Sequence, residues 1–240
     1  MKKLGVIGGL GPMATALFMQ MVTEMTDADV DQEHIEMLIH SCPQIPDRTS
    51  FILDHTREDP RPEMIRIGRN LAKQGVDLIA VPCITSNYFY KELTEAIQAP
   101  VINIIQETCS YLEERGIHTA GLMATSGTIE SGLFQEKFAA SGCRLALPSE
   151  ERQRQVMHLI YKNVKANRPP EMKFFTEVSE ELKTNGAEVI LLGCTELSVI
   201  HRNHEIGSGY LDIMQLMAKC AVEACGNLKD GYRELITGSR

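Results

Sequence analysis

Two stretches of the chain share one pattern: Leu78-Ile79-Ala80-Val81-Pro82-Cys83-Ile84-Thr85 and Val189-Ile190-Leu191-Leu192-Gly193-Cys194-Thr195-Glu196. In each, a short apolar run leads to a cysteine, and a threonine follows within two residues. A short run of branched apolar residues that ends at Pro or Gly is typical of a buried strand in a parallel sheet. The two stretches therefore predict two central strands, each with a cysteine just beyond its carboxyl end.

Around these stretches, short apolar runs alternate with longer amphipathic ones. Strands are predicted at residues 4–8, 36–40, 77–81, 119–124 and 189–192. Helices are predicted at residues 13–25, 62–74, 88–97, 106–115, 132–140, 151–165, 172–185 and 210–224. Regular alternation of strand and helix predicts parallel sheets with helices on both faces, which is an α/β fold.

The order of these elements occurs twice along the chain. The first half opens with a strand and the turn Gly8-Gly9-Leu10-Gly11-Pro12. The second half opens with a strand and the turn Ala124-Thr125-Ser126-Gly127-Thr128. Each half then reaches its own cysteine strand. Because ligands bind beyond the carboxyl ends of strands in open α/β sheets, we expect these turns and both cysteines to surround one cleft.

The repeat predicts two similar α/β domains with mainly parallel sheets, related by a pseudo-twofold axis, with the active site between them. The first domain is predicted at residues 1–100, with a return of residues 208–228, and it carries Cys83. The second domain is predicted at residues 101–207 and carries Cys194.

The composition restricts the classes of function. The chain has 240 residues, of which 43% are hydrophobic, so it is able to bury a substantial core. Its formal net charge is −8 and it has no run of Lys or Arg, which argues against nucleic-acid binding. No apolar stretch approaches the roughly 20 residues of a membrane span, and the first apolar run is too short for a signal peptide. We therefore expect a cytoplasmic protein that binds neither nucleic acid nor membranes.

The cysteines fall into two groups. There are seven of them, an odd number, with no Cys-x-x-Cys pair, so a disulfide framework is not expected in a cytoplasmic protein. Most should be small buried side chains. Cys83 and Cys194 differ because each lies between a buried strand and a predicted helix, whose N-terminus stabilises a thiolate. Both could still be structural, but their matched positions favour a shared function.

Two thiols on opposite sides of a cleft suit a reaction that inverts a carbon centre. One thiolate removes a proton from one face of the carbon, and the opposite thiol donates a proton to the other face. The reverse reaction exchanges the two roles. Because this chemistry requires no metal, redox agent or pyridoxal phosphate, no cofactor is expected.

The chain resembles the aspartate/glutamate racemases and their relatives, and among them most resembles aspartate racemases. The resemblance extends from Gly8-Gly9-Leu10-Gly11-Pro12 to Gly193-Cys194-Thr195-Glu196, and includes Ile45-Pro46-Asp47-Arg48-Thr49 and the turn at residues 124–128. It implies a two-domain α/β fold, a racemase that acts without pyridoxal phosphate through two cysteines, and a homodimer. The expected substrate is a small anionic amino acid, either aspartate, glutamate or a close analogue.

Two cations are candidates for holding the substrate. Arg48 lies in a Pro-bounded loop after the second strand, and a guanidinium binds a carboxylate through two parallel hydrogen bonds. The resemblance gives Arg48 one substrate carboxylate and Lys165 the second. The alternatives are a surface ion pair of Arg48 with Asp47 or Asp54, and a solvated lysine at a helix end.

The other candidates lie in turns and at helix starts. Their backbone N–H groups and hydroxyls are suited to a carboxylate, whereas an acidic side chain would orient its neighbours or meet the substrate ammonium. Simple turns and helix capping are the alternative for each of them. These candidates are Leu10, Gly11, Thr85, Ser126, Thr128, Thr195 and Glu196.

One motif departs from the family pattern. The family commonly has Cys-Asn-Thr-Ala-His after its first catalytic strand, whereas this chain has Cys83-Ile84-Thr85-Ser86-Asn87. Ile84 cannot form the hydrogen bonds of the family asparagine, which binds substrate. The departure supports two alternatives. One is an enzyme acting on another acid, such as a hydantoin racemase, a maleate cis-trans isomerase or a decarboxylase. The other is a homologue that only binds its ligand.

Two further patterns have weaker support. The run Gly9-x-Gly11-x-x-Ala14 fits a loose dinucleotide-binding loop, but the following strand ends without the acid that would bind the ribose. This leaves a nucleotide-dependent oxidoreductase as a minor alternative. His201 and His204 lack the spacing of a metal-binding helix and are expected in a surface loop, so no metal site is predicted.

Overall fold

The strand β1 (Leu4–Gly8) is the centre of the first sheet, and every one of its residues is buried. In the computed structural model, which describes residues 2–238, β1 pairs in parallel with β2 (Met37–Ser41) and β3 (Leu78–Ala80). Apolar side chains on both faces of β1 explain this central position, because helices cover both sides of a parallel sheet.

The second sheet repeats this arrangement and adds one strand. Its strands are β4 (Thr119–Met123), β5 (Arg144–Ala146), β6 (Val189–Leu192) and β7 (Tyr210–Asp212). The order is β2-β1-β3 in the first sheet and β5-β4-β6-β7 in the second, with every pair parallel. In both sheets the opening strand of the half lies beside the strand that leads to the cysteine. The predicted α/β fold with two parallel sheets is confirmed.

The helices surround these sheets. The α-helices of the first half are α1 (Pro12–Met25), α2 (Arg48–Leu53), α3 (Arg61–Lys73) and α4 (Tyr90–Ala96). Those that follow are α5 (Ile104–Glu113), α6 (Ser126–Glu130), α7 (Leu133–Ser141), α8 (Glu150–Met157), α9 (Met172–Thr184), α10 (Thr195–Asn203) and α11 (Ile213–Cys225). Short 3-10 helices lie at Asp31–Glu33, Ile84–Phe89 and Asp230–Tyr232, and a π-helix at His158–Val164.

Two predicted helices were wrong in part. The helix predicted at 151–165 changes from α8 to the π-helix, in which the Lys165 N–H donates to the Ile160 carbonyl, five residues earlier. The segment predicted as a helix from residue 210 begins with β7, because Tyr210–Asp212 pairs with β6. Asp212 then starts α11 by accepting the N–H groups of Met214 and Gln215.

A common core joins the two halves. One apolar cluster includes Val6 of β1, Phe18 of α1, Leu122 of β4, Leu191 of β6 and Met217 of α11, all fully or almost fully buried. The segment 208–228, expected to return to the first domain, is divided between the halves. Its strand lies in the second sheet, whereas its helix α11 packs against α1 of the first half and against α5.

No helix within residues 2–238 combines the length and the apolar character that crossing a bilayer requires.

A substitution at Gly9 tests how closely the turn after β1 approaches Cys42, the residue that follows β2. Gly9 has φ +90°, and a Cβ added to it would overlap the backbone of Cys42. Gly75 has φ +75°, but a Cβ there would meet no atom within 4 Å. We expect Gly9→Ala to lower the free energy of unfolding by about 4 kcal/mol or more, since strain and overlap add. Gly75→Ala, the matched control, should cost about 1–2 kcal/mol. Equal losses of unfolding free energy in the two variants, measured by urea denaturation, would contradict the close approach of this turn to Cys42.

Candidate active site

Cys83 and Cys194 lie on the wall of one cavity, although each is only 6% exposed. Cys83 follows β3 and precedes the 3-10 helix Ile84–Phe89, and Cys194 follows β6 and is the N-cap of α10. The cavity, with the space around it, measures about 260 Å³, including space open to solvent. It is lined by Leu10, Asp47, Arg48, Thr49, Cys83, Ile84, Thr85, Thr125, Tyr161, Lys165, Cys194, Thr195 and Glu196.

Eight of the eleven residues predicted for the site line this cavity. Besides the two cysteines they are Leu10, Arg48, Thr85, Lys165, Thr195 and Glu196. Gly11 lines an adjoining space, described below.

Ser126 and Thr128 are engaged elsewhere. The Ser126 N–H faces the sulfur of Met157 at 3.2 Å, and the Thr128 hydroxyl contacts two other threonines. Their neighbour Thr125 is the residue of this turn that reaches the cavity wall. The contacts of Ser126 and Thr128 with substrate stay a prediction.

Cys194 pairs with a buried carboxyl group. Its Sγ lies 2.9 Å from Glu196 Oε2, which also accepts a hydrogen bond from the Thr195 hydroxyl at 3.2 Å. Burial raises the pKa of Cys194 well above its ordinary value, and the charge of Glu196 raises it further, against the opposing effect of Lys165. Cys194 is therefore a neutral thiol at neutral pH, ready to donate a proton. Glu196 is 5% exposed, unlike an ordinary first-turn glutamate at the surface.

Arg48 is buried rather than paired on the surface. It is the first residue of α2, where the Asp47 side chain accepts from the Ser50 N–H at 2.8 Å, so the predicted loop is a helix start. Its guanidinium donates to the carbonyls of Leu10, Ile45 and Pro46 at 3.0, 3.2 and 2.9 Å.

The guanidinium of Arg48 has capacity for a ligand. Burial opposes its charge, but Cys83 and Asp47 outweigh that effect, so the pKa of Arg48 lies above its ordinary value. Its buried Nε has no hydrogen-bond partner within the described part of the chain. A buried donor without a partner is costly, and a carboxylate placed beside it would relieve that cost.

Lys165 and Tyr161 reach from the π-helix to the opposite half. The Lys165 Nζ lies 3.5 Å from Asp47 Oδ2 and 4.1 Å from the centroid of the Tyr161 ring. The Tyr161 hydroxyl contacts the Asp47 carboxylate at 3.1 and 3.3 Å. Burial opposes the charge of Lys165, but Glu196 and its other neighbours raise its pKa above the ordinary value. Lys165 is therefore a permanent cation on the cavity wall, not a solvated lysine at a helix end.

Three threonine hydroxyls connect the halves beside Cys83. Thr85 of the first half lies 3.1 Å from Thr125 and 2.9 Å from Thr128, and these two are 3.1 Å apart. All three are buried. Close by, a Cβ added to Gly127 would lie 2.8 Å from the Thr49 Cα, so α6 and α2 are in near contact. The hydroxyls and this contact set the distance across the cleft.

A wider space, the vestibule, adjoins the cavity. It measures about 1360 Å³, including space open to solvent. Asp47, Arg48, Lys165 and Glu196 line both spaces and form a charged neck between them. The remaining lining residues of the vestibule are Gly9, Gly11, Pro12, Met13, Ala14, Pro43, Ile45, Val164, Asn167 and Val199.

The motif that departs from the family pattern faces the cavity only in part. Ile84 is 2% exposed and lines the cavity next to Cys83. Asn87 instead donates from Nδ2 to the Ile84 carbonyl at 3.1 Å and so supports the backbone of this turn. The wall beside Cys83 is therefore apolar at Ile84 and hydroxylic at Thr85.

Three residues of the cavity wall, Asp47, Thr49 and Tyr161, are not predicted from sequence, whereas Thr125 belongs to the turn that is expected at the cleft. Tyr161 precedes Lys165 by four residues, the spacing that places two side chains on one helix face, and this spacing could have identified it. The sequence indicates Asp47 only as an ion-pair partner of Arg48.

No group of three or more His, Cys, Asp or Glu side chains within residues 2–238 is arranged to hold a metal ion.

Known proteins share this architecture. A family model described as Asp/Glu/Hydantoin racemase matches residues 7–221. The broad specificity amino-acid racemase RacX of Bacillus subtilis (strain 168) is 26% identical over 223 residues, which cover 91% of this chain and 96% of that protein.

Solved structures agree with this assignment. The aspartate racemase of Picrophilus torridus superposes with a TM-score of 0.83 and 27% identity, covering 97% of this chain and 98% of that one. An aspartate racemase homologue from Pyrococcus horikoshii OT3 has a TM-score of 0.75 at 20% identity, covering 94% and 99%, and supports the fold. Since the family model covers nearly the whole chain, the protein belongs to the Asp/Glu/hydantoin racemase family, whose members are isomerases.

Proposed function

We propose that the protein interconverts the L and D forms of aspartate, glutamate or a close analogue, with Cys83 and Cys194 as the two bases. The observation that carries this proposal is that thiols from opposite halves line a single cavity. The similarity to an amino-acid racemase and an aspartate racemase supports it. In the proposed reaction, the thiolate on one side removes the α-proton and the thiol on the other side protonates the resulting carbanion.

The charges of the cavity assign roles to its side chains. Arg48, with its unpartnered Nε, would bind the substrate α-carboxylate, and Lys165 would bind a side-chain carboxylate. Glu196, hydrogen-bonded to Cys194, would accept the thiol proton when that cysteine acts as base. In these roles the side chains would hold the reacting carbon between the two sulfurs, and the proposed mechanism requires no cofactor.

Ile84 favours a second candidate function on the same site. An apolar side chain beside Cys83 removes a hydrogen-bonding partner that a polar group at this position would supply to an amino-acid substrate. The apolar side chain is better suited to the substrate of a related racemase or isomerase that acts on another carboxylic acid. A screen of α-proton exchange with D2O across amino acids, hydantoins and dicarboxylic acids separates the two functions.

Replacing either proposed base should stop racemisation. We expect Cys83→Ala and Cys194→Ala each to lower the rate of aspartate or glutamate racemisation by about 10³-fold or more, because protonation from one face is lost. The rate is measured by polarimetry, with α-deuterium incorporation followed by NMR. Cys109→Ala is the matched control, since Cys109 is also buried, at 4% exposure, but lies outside the cavity. Racemisation at the unmodified rate in either cavity variant would refute the two-base mechanism.

Removing the charge of Glu196 should make Cys194 more acidic. Burial and Glu196 both raise the pKa of this thiol, so Glu196→Gln removes one of the two causes. The pKa should fall, and the alkylation of Cys194 by iodoacetamide should rise at a lower pH than in the unmodified protein. Mass spectrometry of the Cys194 peptide across pH 7–10 gives the profile.

Cys220 provides the internal control for that measurement. Burial and Glu107 raise its pKa to about 12, and neither cause involves Glu196. The Cys220 profile should therefore be the same in both proteins. If Glu196→Gln leaves the pH dependence of Cys194 alkylation unchanged, or shifts it to higher pH, the proposed pairing with Glu196 is contradicted.

A further inference from the structure

A buried carboxylate lies beside the strand that leads to Cys194. Asp212 is the last residue of β7 and is fully buried, as is Ser198 of α10. The Ser198 hydroxyl donates to Asp212 Oδ1 at 2.6 Å, and the same oxygen accepts the N–H groups of Met214 and Gln215 at 2.9 and 3.3 Å. Neither Asp212 nor Ser198 lines the cavity or the vestibule.

The second oxygen of this carboxylate is poorly satisfied. Asp212 Oδ2 is buried without a hydrogen-bond partner among residues 2–238, and His201 Nδ1 lies 3.5 Å from it. His201, expected in a surface loop, belongs instead to α10 and is only partly exposed. Capping α11 requires one side-chain oxygen, which a neutral Asn, Ser or Thr supplies without the cost of burying a charge. The charge of Asp212 therefore indicates a task besides the cap.

The sheet places Asp212 next to the cysteine turn. Asp212 is opposite Leu192 in the parallel register of β7 and β6, and Cys194 follows Leu192 by two residues. Ser198 lies in the first turn of α10, where its N–H donates to the Cys194 carbonyl at 3.4 Å. The hydrogen bond from Ser198 to Asp212 therefore connects the start of α10 to the neighbouring strand, and Cys194 lies between these two attachments.

The start of α10 lacks a capping side chain. Cys194 is its N-cap residue, but the thiol forms no hydrogen bond with the helix backbone. The Cys194 thiol and the Thr195 hydroxyl both donate to Glu196 Oε2, so the side chains at this helix start are directed to the site. A helix start without a cap is less well fixed, and the hydrogen bond of Ser198 with a charged acceptor compensates for the missing cap.

The first half has a counterpart at the matching position. Asn87 follows Cys83 by four residues, just as Ser198 follows Cys194. Its side chain donates to the Ile84 carbonyl at 3.1 Å, within the turn that carries Cys83. In each half, a buried polar side chain four residues after the cysteine therefore supports the cysteine turn.

We propose that Asp212 is a positioning residue for proton transfer, which acts through Ser198 to fix the first turn of α10 and with it Cys194 and Glu196. The proposal rests on the proposed racemase function and adds to it two residues outside the cavity wall. A displacement of about 1 Å between reacting groups costs on the order of 10²-fold in rate. The support of this turn should therefore affect kcat directly.

The first test removes the Ser198 hydroxyl. Ser198→Ala leaves Asp212 with both backbone donors of α11, so the cap of that helix is kept. We expect kcat for aspartate or glutamate to fall about tenfold or more, because the thiol is displaced. KM should change little, because the two cations of the neck stay in place.

A second measurement follows the thiol without turnover. When α10 loses its attachment, the 2.9 Å contact between Cys194 and Glu196 loosens, and Glu196 raises the pKa of the thiol less. Alkylation of Cys194 by iodoacetamide in Ser198→Ala should therefore rise at a lower pH than in the unmodified protein. Partial unfolding would also change the profile of Cys220, whose pKa burial raises to about 12, so the Cys220 profile should stay unchanged.

Ser179→Ala is the matched control. Ser179 is also a buried helix serine, and its hydroxyl donates to the Phe175 carbonyl at 2.8 Å within α9. This variant removes the same hydroxyl from the same half of the protein, but at a distance in sequence from the cysteine turn. It should leave both kcat and the Cys194 profile unchanged.

A double-mutant cycle tests whether Asp212 acts through Ser198. Asp212→Asn keeps an oxygen for the cap of α11 but replaces the charge-assisted hydrogen bond with a weaker neutral one. Alone it should lower kcat several-fold. In the Ser198→Ala background it should have little further effect, because two residues that act as a pair are not additive.

The remaining outcomes separate the two proposals. An unmodified protein that racemises neither aspartate nor glutamate would refute the proposed function, and the alkylation profile would then decide the positioning alone. Racemisation by the unmodified protein, with kcat and the Cys194 profile unaltered in Ser198→Ala, would overturn the positioning role and leave the racemase function in place. Equal changes in Ser179→Ala, or effects of Asp212→Asn and Ser198→Ala that multiply, would overturn it as well.

Discussion

The buried packing of α1 against α11, with the core cluster that surrounds it, keeps the two halves in one relative position. Proton transfer on two faces of one carbon is sensitive to distance, because reacting atoms must lie within about 3–3.5 Å of each other. Each cysteine follows a strand of its own half, so the distance between the two thiols depends on how the halves pack against each other. The shared core and the hydroxyl contacts of Thr85 with Thr125 and Thr128 fix this packing.

The surroundings of the two thiols are unequal. Cys83 has the buried guanidinium of Arg48 as a neighbour, whereas Cys194 is hydrogen-bonded to the carboxyl group of Glu196. The fold repeats in the two halves, but the charges that flank its cysteines do not. The two faces of a bound substrate would consequently meet differently charged surroundings.

The strands were predictable from sequence because each buried strand is a continuous apolar run, and β1 and β6 have the predicted bounds. The short elements were not. β5 and β7 have three residues each, too few for a periodic pattern, and their pairing depends on neighbours distant in sequence.

The site shows the same division between local and long-range information. Cys83, Cys194 and Arg48 lie in motifs that can be read from neighbouring residues. Tyr161 lines the cavity with its hydroxyl against Asp47, which is 114 residues away in sequence. Ser126 and Thr128 look equivalent to Thr125 in sequence, but only Thr125 of the three lines the cavity, a difference that local sequence does not indicate.

The π-helix His158–Val164 has a consequence for how this protein tolerates changes in length. Successive residues are separated by about 100° around the axis of an α-helix and by a smaller angle in the wider π-helix, so one deletion in this segment would rotate Lys165 away from the neck. Loops ordinarily tolerate insertions and deletions, whereas the number of residues in this π-helix determines the direction of the Lys165 side chain.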